Sequence, residues 1–497
     1  MARLLTYVAA GVLMTTGAQA TPRLVDAVQL QAAIARLETA GLADGSGVAI
    51  AAVGKLLDLP AVVLPKMPTV AAAAPTGKVK IVMGDLQIAI TQLSITEGTN
   101  NLLRVQRAQG NRRDAIFVSG GMTNLRDLAT AVAAQGIDGL RVTDGVVHLT
   151  RPLVIWQGAG LALQPSDKLL IEAAGGGFLL SFGDLSFRGA EVSSDVAAAS
   201  ADTMYRPFLL IAGAGTIRAE DSYFTGLGMA GLGAFSGMVI ANRGLFAPAF
   251  PVVLRANHFE DIGGLALIGA RDATVDGNTF AKVRGNALAL GETRDGVVVG
   301  NVISGTKGGA GLKVTDGVRG LQIAGNLVVG GAGNGLLING NSTGVTISGN
   351  AILGNAETGI AAKAVDCLSV AGNIIADNGA GGLRVAQTGF TRISENALVA
   401  NGSSAIAVSQ KQPAANLELR DNLLAQNQVG LTGLQLTSVS LNGNDLSDQL
   451  PRLFDGEFAQ HQAAYLTAGQ QDASQTFQIS ATSAIQTADF ATLCGKE

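Results

Sequence analysis

Val345-Thr346-Ile347-Ser348-Gly349-Asn350 and Leu321-Gln322-Ile323-Ala324-Gly325-Asn326 are one pattern written twice: apolar residues at every second position, then Gly-Asn. Alternation with a period of two marks a strand with one buried face. The closing Asn recurs at Asn257, Asn278, Asn301, Asn326, Asn350, Asn373, Asn396, Asn422 and Asn444, at intervals of 21, 23, 25, 24, 23, 23, 26 and 22 residues. About ten residues after several of them a second run opens with Gly, as in Gly335-Leu336-Leu337-Ile338, Gly359-Ile360 and Gly382-Leu383-Arg384-Val385. No helical stretch separates the runs. This combination predicts an all-β solenoid, a right-handed parallel β-helix whose coils each supply about three short strands and stack ~4.8 Å apart. A leucine-rich horseshoe shares the period, but its Leu-x-x-Leu-x-Leu signature is absent. Each Asn is expected at a corner, in left-handed backbone, hydrogen-bonded along the stack to the Asn of the next coil.

Working outward, earlier coils are less regular, and Ser222 stands where the ladder Asn is expected. An insertion at residues 241–250 lengthens the next coil. The division expected is a signal peptide at 1–20, an Ala/Val-rich region at 21–110 acting as helical cap or linker, and a helix and entry segment at 111–145. The β-helix follows at 146–447, with a C-terminal cap or tail at 448–497. Residues 123–135 read as an amphipathic helix with Leu125, Leu128, Ala129 and Val132 on one face. Helices are also expected at 25–40 and 457–466. Such caps cover the strand edges that a bare end coil exposes.

The composition agrees. Glycine accounts for 66 of 497 residues and charged residues for 14%, against usual values of ~7% and ~25%. A disordered chain would be richer in charge and poorer in Val, Ile and Leu. Collagen is excluded, because Pro numbers 12 and the glycines keep no three-residue period. The net charge of −4, without a basic run, argues against nucleic acid as the main partner. Arg3, the apolar run 4–14 and Ala18-Gln19-Ala20 read as an export signal cleaved near Ala20. No later stretch offers the ~18 apolar residues that cross a bilayer. Cys367 and Cys494 have no metal-like spacing and read as two free thiols, a disulfide being the alternative. No metal or other cofactor is expected.

Tyr205-Arg206-Pro207-Phe208-Leu209-Leu210 and Phe224-Thr225-Gly226-Leu227-Gly228 resemble the bacterial mannuronan C-5-epimerases, periplasmic alginate-modifying β-helix enzymes. The likeness continues through Asn257-His258-Phe259-Glu260-Asp261, Gly277-Asn278-Thr279-Phe280 and residues 300–307, covering roughly 115–445. It implies an acidic polysaccharide as partner, periplasmic or secreted location, a possible link to an exopolysaccharide export complex, and abstraction and return of the C5 proton of a uronate. That chemistry needs a cation, a base and an acid converging on one outer sheet. Counting from the small residue that opens the second strand, +2 and +4 point outward. The family's Asp-Pro-His then falls on Ala289, Leu290 and Gly291. The further His and Arg of the next coil fall on Ala310 and Asp316.

The same register places outward ladders at Val239, Ala266, Ala289, Lys313, Leu337, Ala361, Arg384 and Ala407, and at Thr315, Asn339, Lys363, Ala386 and Ser409. Lys313 as carboxylate clamp or base and Glu292 as substitute acid or base form the candidate catalytic pair. Arg294, Lys307, Asp316, Lys363 and Arg384 are candidate contacts for the polyanion. Glu292 and Asp316 are the one carboxylate pair that fits a hydrolase. His258 is read as a corner residue and Tyr223 as packing. Three functions stay open: an isomerase or lyase with a replaced residue set, a non-catalytic relative that binds the polymer or supports its export, and a hydrolase.

Overall fold

The computed structural model describes residues 25–39, 45–62, 75–97, 107, 113–197, 205–229, 233–243, 248, 250–315, 317–410, 415–471, 476–480 and 494. The expected signal peptide lies outside them. The chain is a right-handed parallel β-helix. Each coil contributes three strands, as in Leu288–Gly291, Val297–Val299 and Val302–Ser304. We call the three stacks sheet 1, sheet 2 and sheet 3 in that order. Sheet 3 has 13 strands, and sheets 1 and 2 join into a second hydrogen-bonded array. Helices α1 (Ala27–Thr39), α2 (Gly45–Leu56), α3 (Leu86–Glu97), α4 (Leu125–Ala134) and α5 (Gln462–Gln471) lie outside the coils.

Alternation fixes which side chains fill the bore. In sheet 3, Phe224, Phe259 and Phe280 point inward and stack with ring centroids 5.0 and 4.8 Å apart. The same inward column continues as Ile303, Val328, Ile352, Ile375, Leu398 and Leu424. The Asn ladder forms along the stack, but the left-handed residue at each corner is the one before the Asn, as at Gly277, Gly325 and Gly349, and not the Asn itself as expected. Asn350 Oδ1 accepts from the backbone N–H and the side-chain amide of Asn326 at 2.8 and 2.9 Å. Its own amide donates to Asn373 Oδ1 at 2.8 Å. Ser222 heads the ladder, its N–H donating to Asn257 Oδ1 at 3.0 Å. A second ladder, one corner later, joins Asn355, Asn378, Asn401, Asn427 and Gln449.

At the first coil α4 buries Leu125, Leu128, Ala129 and Val132, with Asn124 as N-cap accepting from the Asp127 N–H. Strand Lys80–Asp85 adds antiparallel to Asp114–Ser119. At the other end the segment expected as a helix at 457–466 is a 3₁₀ turn, Glu457–His461, leading into α5.

The region 21–110 departs from a simple cap or linker. Leu30 and Ile34 of α1, with Ala49, Ile50 and Val53 of α2, pack on the outer face of sheet 3 against Leu327, Ala351, Leu353, Ile374 and Val399. The residues of sheet 3 explain the choice. Its outward column reads Tyr223, His258 and Thr279 in the early coils, then Val302, Leu327, Ala351, Ile374, Ala397 and Leu423. Strands apolar on both faces need cover on both.

Sheet 1 shows the reverse. Its early outer face carries Phe178, Leu180, Phe208, Leu210 and Val239 beneath Leu86 and Ile90 of α3 and the loop residues Met229 and Phe235. Val239 is thus fully buried, although the register points it out of the bore. The aromatic residues gather here: Phe178 stacks on Phe208 at 4.7 Å, and Trp156 meets Phe182 edge-on at 5.3 Å. Beyond Ala289 the outer face of sheet 1 is open.

A buried charge triad holds the chain at residues 227–228. Asp261 accepts from Arg206 at 3.0 Å and from Arg284 at 3.0 Å, and Arg284 also donates to the carbonyls of Leu227 and Gly228. All three side chains are almost completely buried. Cys367 and Cys494 are joined in a disulfide, which overturns the expectation of free thiols. The bond pins residue 494 to a corner between sheets 1 and 2, 127 residues earlier in sequence.

Candidate functional site

The open face of sheet 1 is a shallow trough whose floor is set by the strand register. Ala266, Ala289, Lys313, Leu337, Ala361, Arg384 and Ala407 are consecutive partners, so they form one outward column. A second column runs Asn339, Lys363, Ala386 and Ser409. From Lys313 to Arg384 is three rungs, about 14 Å. Lys363 and Arg384 line one cavity of about 240 Å³ with Asn334, Leu337, Asn339 and Thr358. Both cations are exposed, Lys313 is half-buried, and none of the three forms an ion pair with a described residue.

The structure does not bring the proposed catalytic pair into contact. Glu292 sits on a left-handed corner, φ 53°, and its Oε1 accepts from Arg243 at 2.7 Å. Its backbone and β-carbon lie over Gly317 of the next coil. Lys313 faces outward from the middle of its strand, between Ala289 and Leu337. Gly291, where the resemblance places a histidine, is closed off by Thr315. Thr315 Oγ1 donates to the Leu290 carbonyl at 3.2 Å and stands 2.6 Å from any β-carbon at 291.

Arg294 is exposed on the corner between sheets 1 and 2, and Lys307 is exposed on the opposite corner, between sheets 3 and 1. They flank the trough and do not meet within it. Asp316 lies outside the described residues, which leaves the hydrolase pair with Glu292 without a geometry.

The histidines and tyrosines lie elsewhere. His148 Nδ1 bonds Glu172 at 2.9 Å in the first coil. Burial pushes the Glu172 carboxyl up, but bonds from His148 and Arg141 outweigh it and leave its pKa lowered. Tyr205 is half-buried, its hydroxyl donating to the carbonyl of Gly177 at 2.9 Å, and desolvation of that hydroxyl raises its pKa. Tyr223 is not packed as expected: it is 56% exposed on the outer face of sheet 3, its ring 5.6 Å from that of His258. His258 Nε2 is 3.6 Å from Glu260. The bond that Lys282 donates, against burial, holds the Glu260 carboxyl below its ordinary pKa. Among the described residues no cluster of His, Cys, Asp and Glu is arranged to hold a metal ion. No helix among them is long and apolar enough to cross a membrane.

The trough therefore offers cations and amides on an extended floor, and among its described floor residues no imidazole or phenol. This geometry can grip a linear anion.

Comparisons with known proteins agree with this architecture. Residues 204–352 and 332–446 match the family model of the right handed beta helix region. A mannuronan C5-epimerase of Pseudomonas aeruginosa is 31% identical over 140 residues, which are 27% of this chain and 25% of that protein. The match thus spans about a quarter of that relative's length. The crystal structure of the periplasmic alginate epimerase AlgG superposes with a TM-score of 0.62 at 19% identity, covering 79% of this chain and 98% of that one. The chain resembles the mannuronan C5-epimerases, and it shares with them the right-handed β-helix.

Proposed function

We propose that this protein binds an acidic, uronate-type polysaccharide along the open face of sheet 1, outside the cytoplasm, without turning it over. The carrying observation is the cavity that Lys363 and Arg384 line with Asn334 and Asn339, continuing a column that contains Lys313. Charge-assisted bonds from Arg and Lys to carboxylates are the strong polar contacts available on an exposed surface. A role in guiding polymer, or in an export complex, follows naturally from binding without turnover. The Cys367–Cys494 bond supports export to an oxidising compartment, periplasmic or extracellular, where disulfides persist.

The absence of catalysis rests on the residues at the matched positions. Ala289 and Gly291 hold no acid or base, and Glu292 is engaged by Arg243. A second reading, isomerase or lyase action on Lys313 and Glu292, draws on the half-buried, unpaired ammonium of Lys313.

Incubation with polymannuronate in deuterated water separates the two. Binding without deuterium at C5 and without unsaturated chain ends is the expected result. Deuterium at C5 that disappears with Lys313→Ala would establish the second reading. No binding of polymannuronate or polyguluronate at low salt would overturn both.

A further inference from the structure

The second side-chain ladder lacks one rung. Its members Asn355, Asn378, Asn401 and Asn427 each stand five residues after an asparagine of the first ladder, and the same count places Gly331 and Thr306 one and two coils before Asn355. In a complete rung one Oδ1 accepts the backbone N–H and the side-chain amide of the preceding coil's asparagine, as Asn378 Oδ1 does from Asn355 at 3.1 and 3.0 Å. Gly331 has no side chain to pass these bonds on. Asn355 Oδ1 therefore receives only the Gly331 N–H, at 3.2 Å. Across the gap Thr306 is 2% exposed, and neither its hydroxyl nor its N–H has a partner among the described residues. Thr306 Oγ1 and Asn355 Oδ1 lie 2.6 and 3.0 Å from the place of a β-carbon on Gly331.

The gap belongs to a cavity of about 380 Å³ lined by Glu38, Thr306, Gly330, Gly331 and Gly354 among others. Gly330 and Gly354 are left-handed corners, φ 65° and 60°, and their missing side chains let Glu38 of α1 reach the solenoid. Glu38 Oε1 is 2.5 Å from the place of a β-carbon on Gly354 and 3.3 Å from that on Gly330. The residue is exposed, which leaves its carboxylate accessible to a ligand. It forms no ion pair with a described residue, and Asp377 is near enough to act on it as a like charge. Lys307 follows Thr306 in sequence but does not line the cavity.

The missing rung calls for a group that both donates and accepts. A hydroxyl does so: it accepts from the Thr306 N–H and donates to Asn355 Oδ1, and a second hydroxyl donates to the Glu38 carboxylate. A bare cation leaves the N–H unanswered, and an anion meets the charges of Glu38 and Asp377. The volume exceeds one water's share of about 30 Å³ many times over. It falls within the ~300–1,000 Å³ of small-molecule pockets.

We propose that this corner binds one uncharged sugar residue, a ring hydroxyl taking the place of the side chain absent at Gly331 and another donating to Glu38. The site is separate from the trough on sheet 1 and selects the opposite chemistry, a neutral ring where the trough takes carboxylates. Glu38 belongs to α1 and the other groups to the solenoid, so the ligand also bridges the docked helix.

The test uses the full-length mature protein and saturation-transfer NMR with glucose, galactose, mannose and their disaccharides, followed by titration. At least one should bind in the millimolar range, and glucuronate or galacturonate should fail to displace it. Glu38→Gln removes a charged acceptor and should weaken binding about tenfold, and Thr306→Val should weaken it several-fold. Gly331→Asn writes in the missing rung and should abolish binding. Should that variant fail to fold, Glu38→Gln at its exposed position and Thr306→Val decide the matter. No transfer to any of these sugars at about 20 mM would mean that water alone fills the gap, and would overturn the site. Affinity unchanged in both Glu38→Gln and Thr306→Val would place the sugar elsewhere and overturn it equally. Displacement by the uronates as effective as by a neutral sugar would overturn the preference for an uncharged ligand.

Discussion

The hydroxyl of Thr315 stands 2.6 Å from the point that a β-carbon on Gly291 would occupy. The contact closes the position where the resemblance places a histidine. Replacing Gly291 by His forces Thr315 off its bond to the Leu290 carbonyl, and overpacking of this kind costs about 1–3 kcal/mol. Thr315→Ala removes the obstructing oxygen, so the double variant should recover a measurable part of that loss. Urea unfolding of the four proteins in the cycle gives the coupling directly. Additive losses would show that the site relaxes without help from residue 315.

The asparagine ladder makes a graded prediction. Asn350→Ala removes the acceptor of two Asn326 donors and the donor to the carbonyl of Ile323, and it leaves Asn373 Oδ1 with the Asn350 backbone N–H alone. With each stranded buried group costing ~1–3 kcal/mol, the loss should reach about 3 kcal/mol or more. Asn444 ends the ladder and is only half-buried. Water can replace its bonds there, so Asn444→Ala should cost about 1 kcal/mol. Equal effects at the two sites would mean that the ladder is not what holds successive corners together.

Much of this is legible in the sequence because a solenoid repeats its physics in every coil. The Gly-Asn corners, the bore-facing column and the outward register of Lys313, Lys363 and Arg384 all follow from alternation. The second ladder, absent from the expectations, leaves an equally regular signal: Asn355, Asn378, Asn401 and Asn427 each stand five residues after a ladder Asn. The docking of α1 and α2 also leaves a signal, since Leu327-Val328-Val329 and Ile374-Ile375-Ala376 lack alternation. Such runs state that both faces are buried, but not by what. The pairing of Glu292 with Arg243 and of Cys367 with Cys494 is not legible, because each joins residues whose meeting depends on side-chain reach across coils.

Asp261 is an anion shared by two buried guanidiniums, those of Arg206 and Arg284, and removing it deletes an ion pair from each. Breaking a buried pair in this way typically costs ~3–5 kcal/mol. Asp261→Ala should therefore be among the most destabilising single changes in the chain, and hydrogen exchange should rise first around residues 226–229. Adding Arg206→Met removes one of the two buried charges and should restore part of the stability. A double variant no more stable than Asp261→Ala would assign the loss to Arg284 alone.

Glu38, at the end of α1, lies over Gly330 and Gly354 of the solenoid. Burial raises the pKa of its carboxyl, and the charge of Asp377 raises it further. Asp377 in turn accepts from Gln31 Nε2 at 2.9 Å, so the same aspartate ties α1 down and opposes its glutamate. Because the folded-state pKa lies above the unfolded one, protonation favours the docked helix. The contribution is complete below the unfolded value and is lost as pH rises through the folded one. Amide exchange in residues 27–39 should accelerate, relative to residues 336–348, as pH climbs from the acid side past the ordinary glutamate range, after correction for intrinsic rates. Glu38→Gln should flatten that dependence and hold α1 at its low-pH protection. If the glutamine variant kept the dependence unchanged, the docking of α1 would have to be governed by Asp377 or by Asp448, which accepts from the Val25 N–H at 3.2 Å.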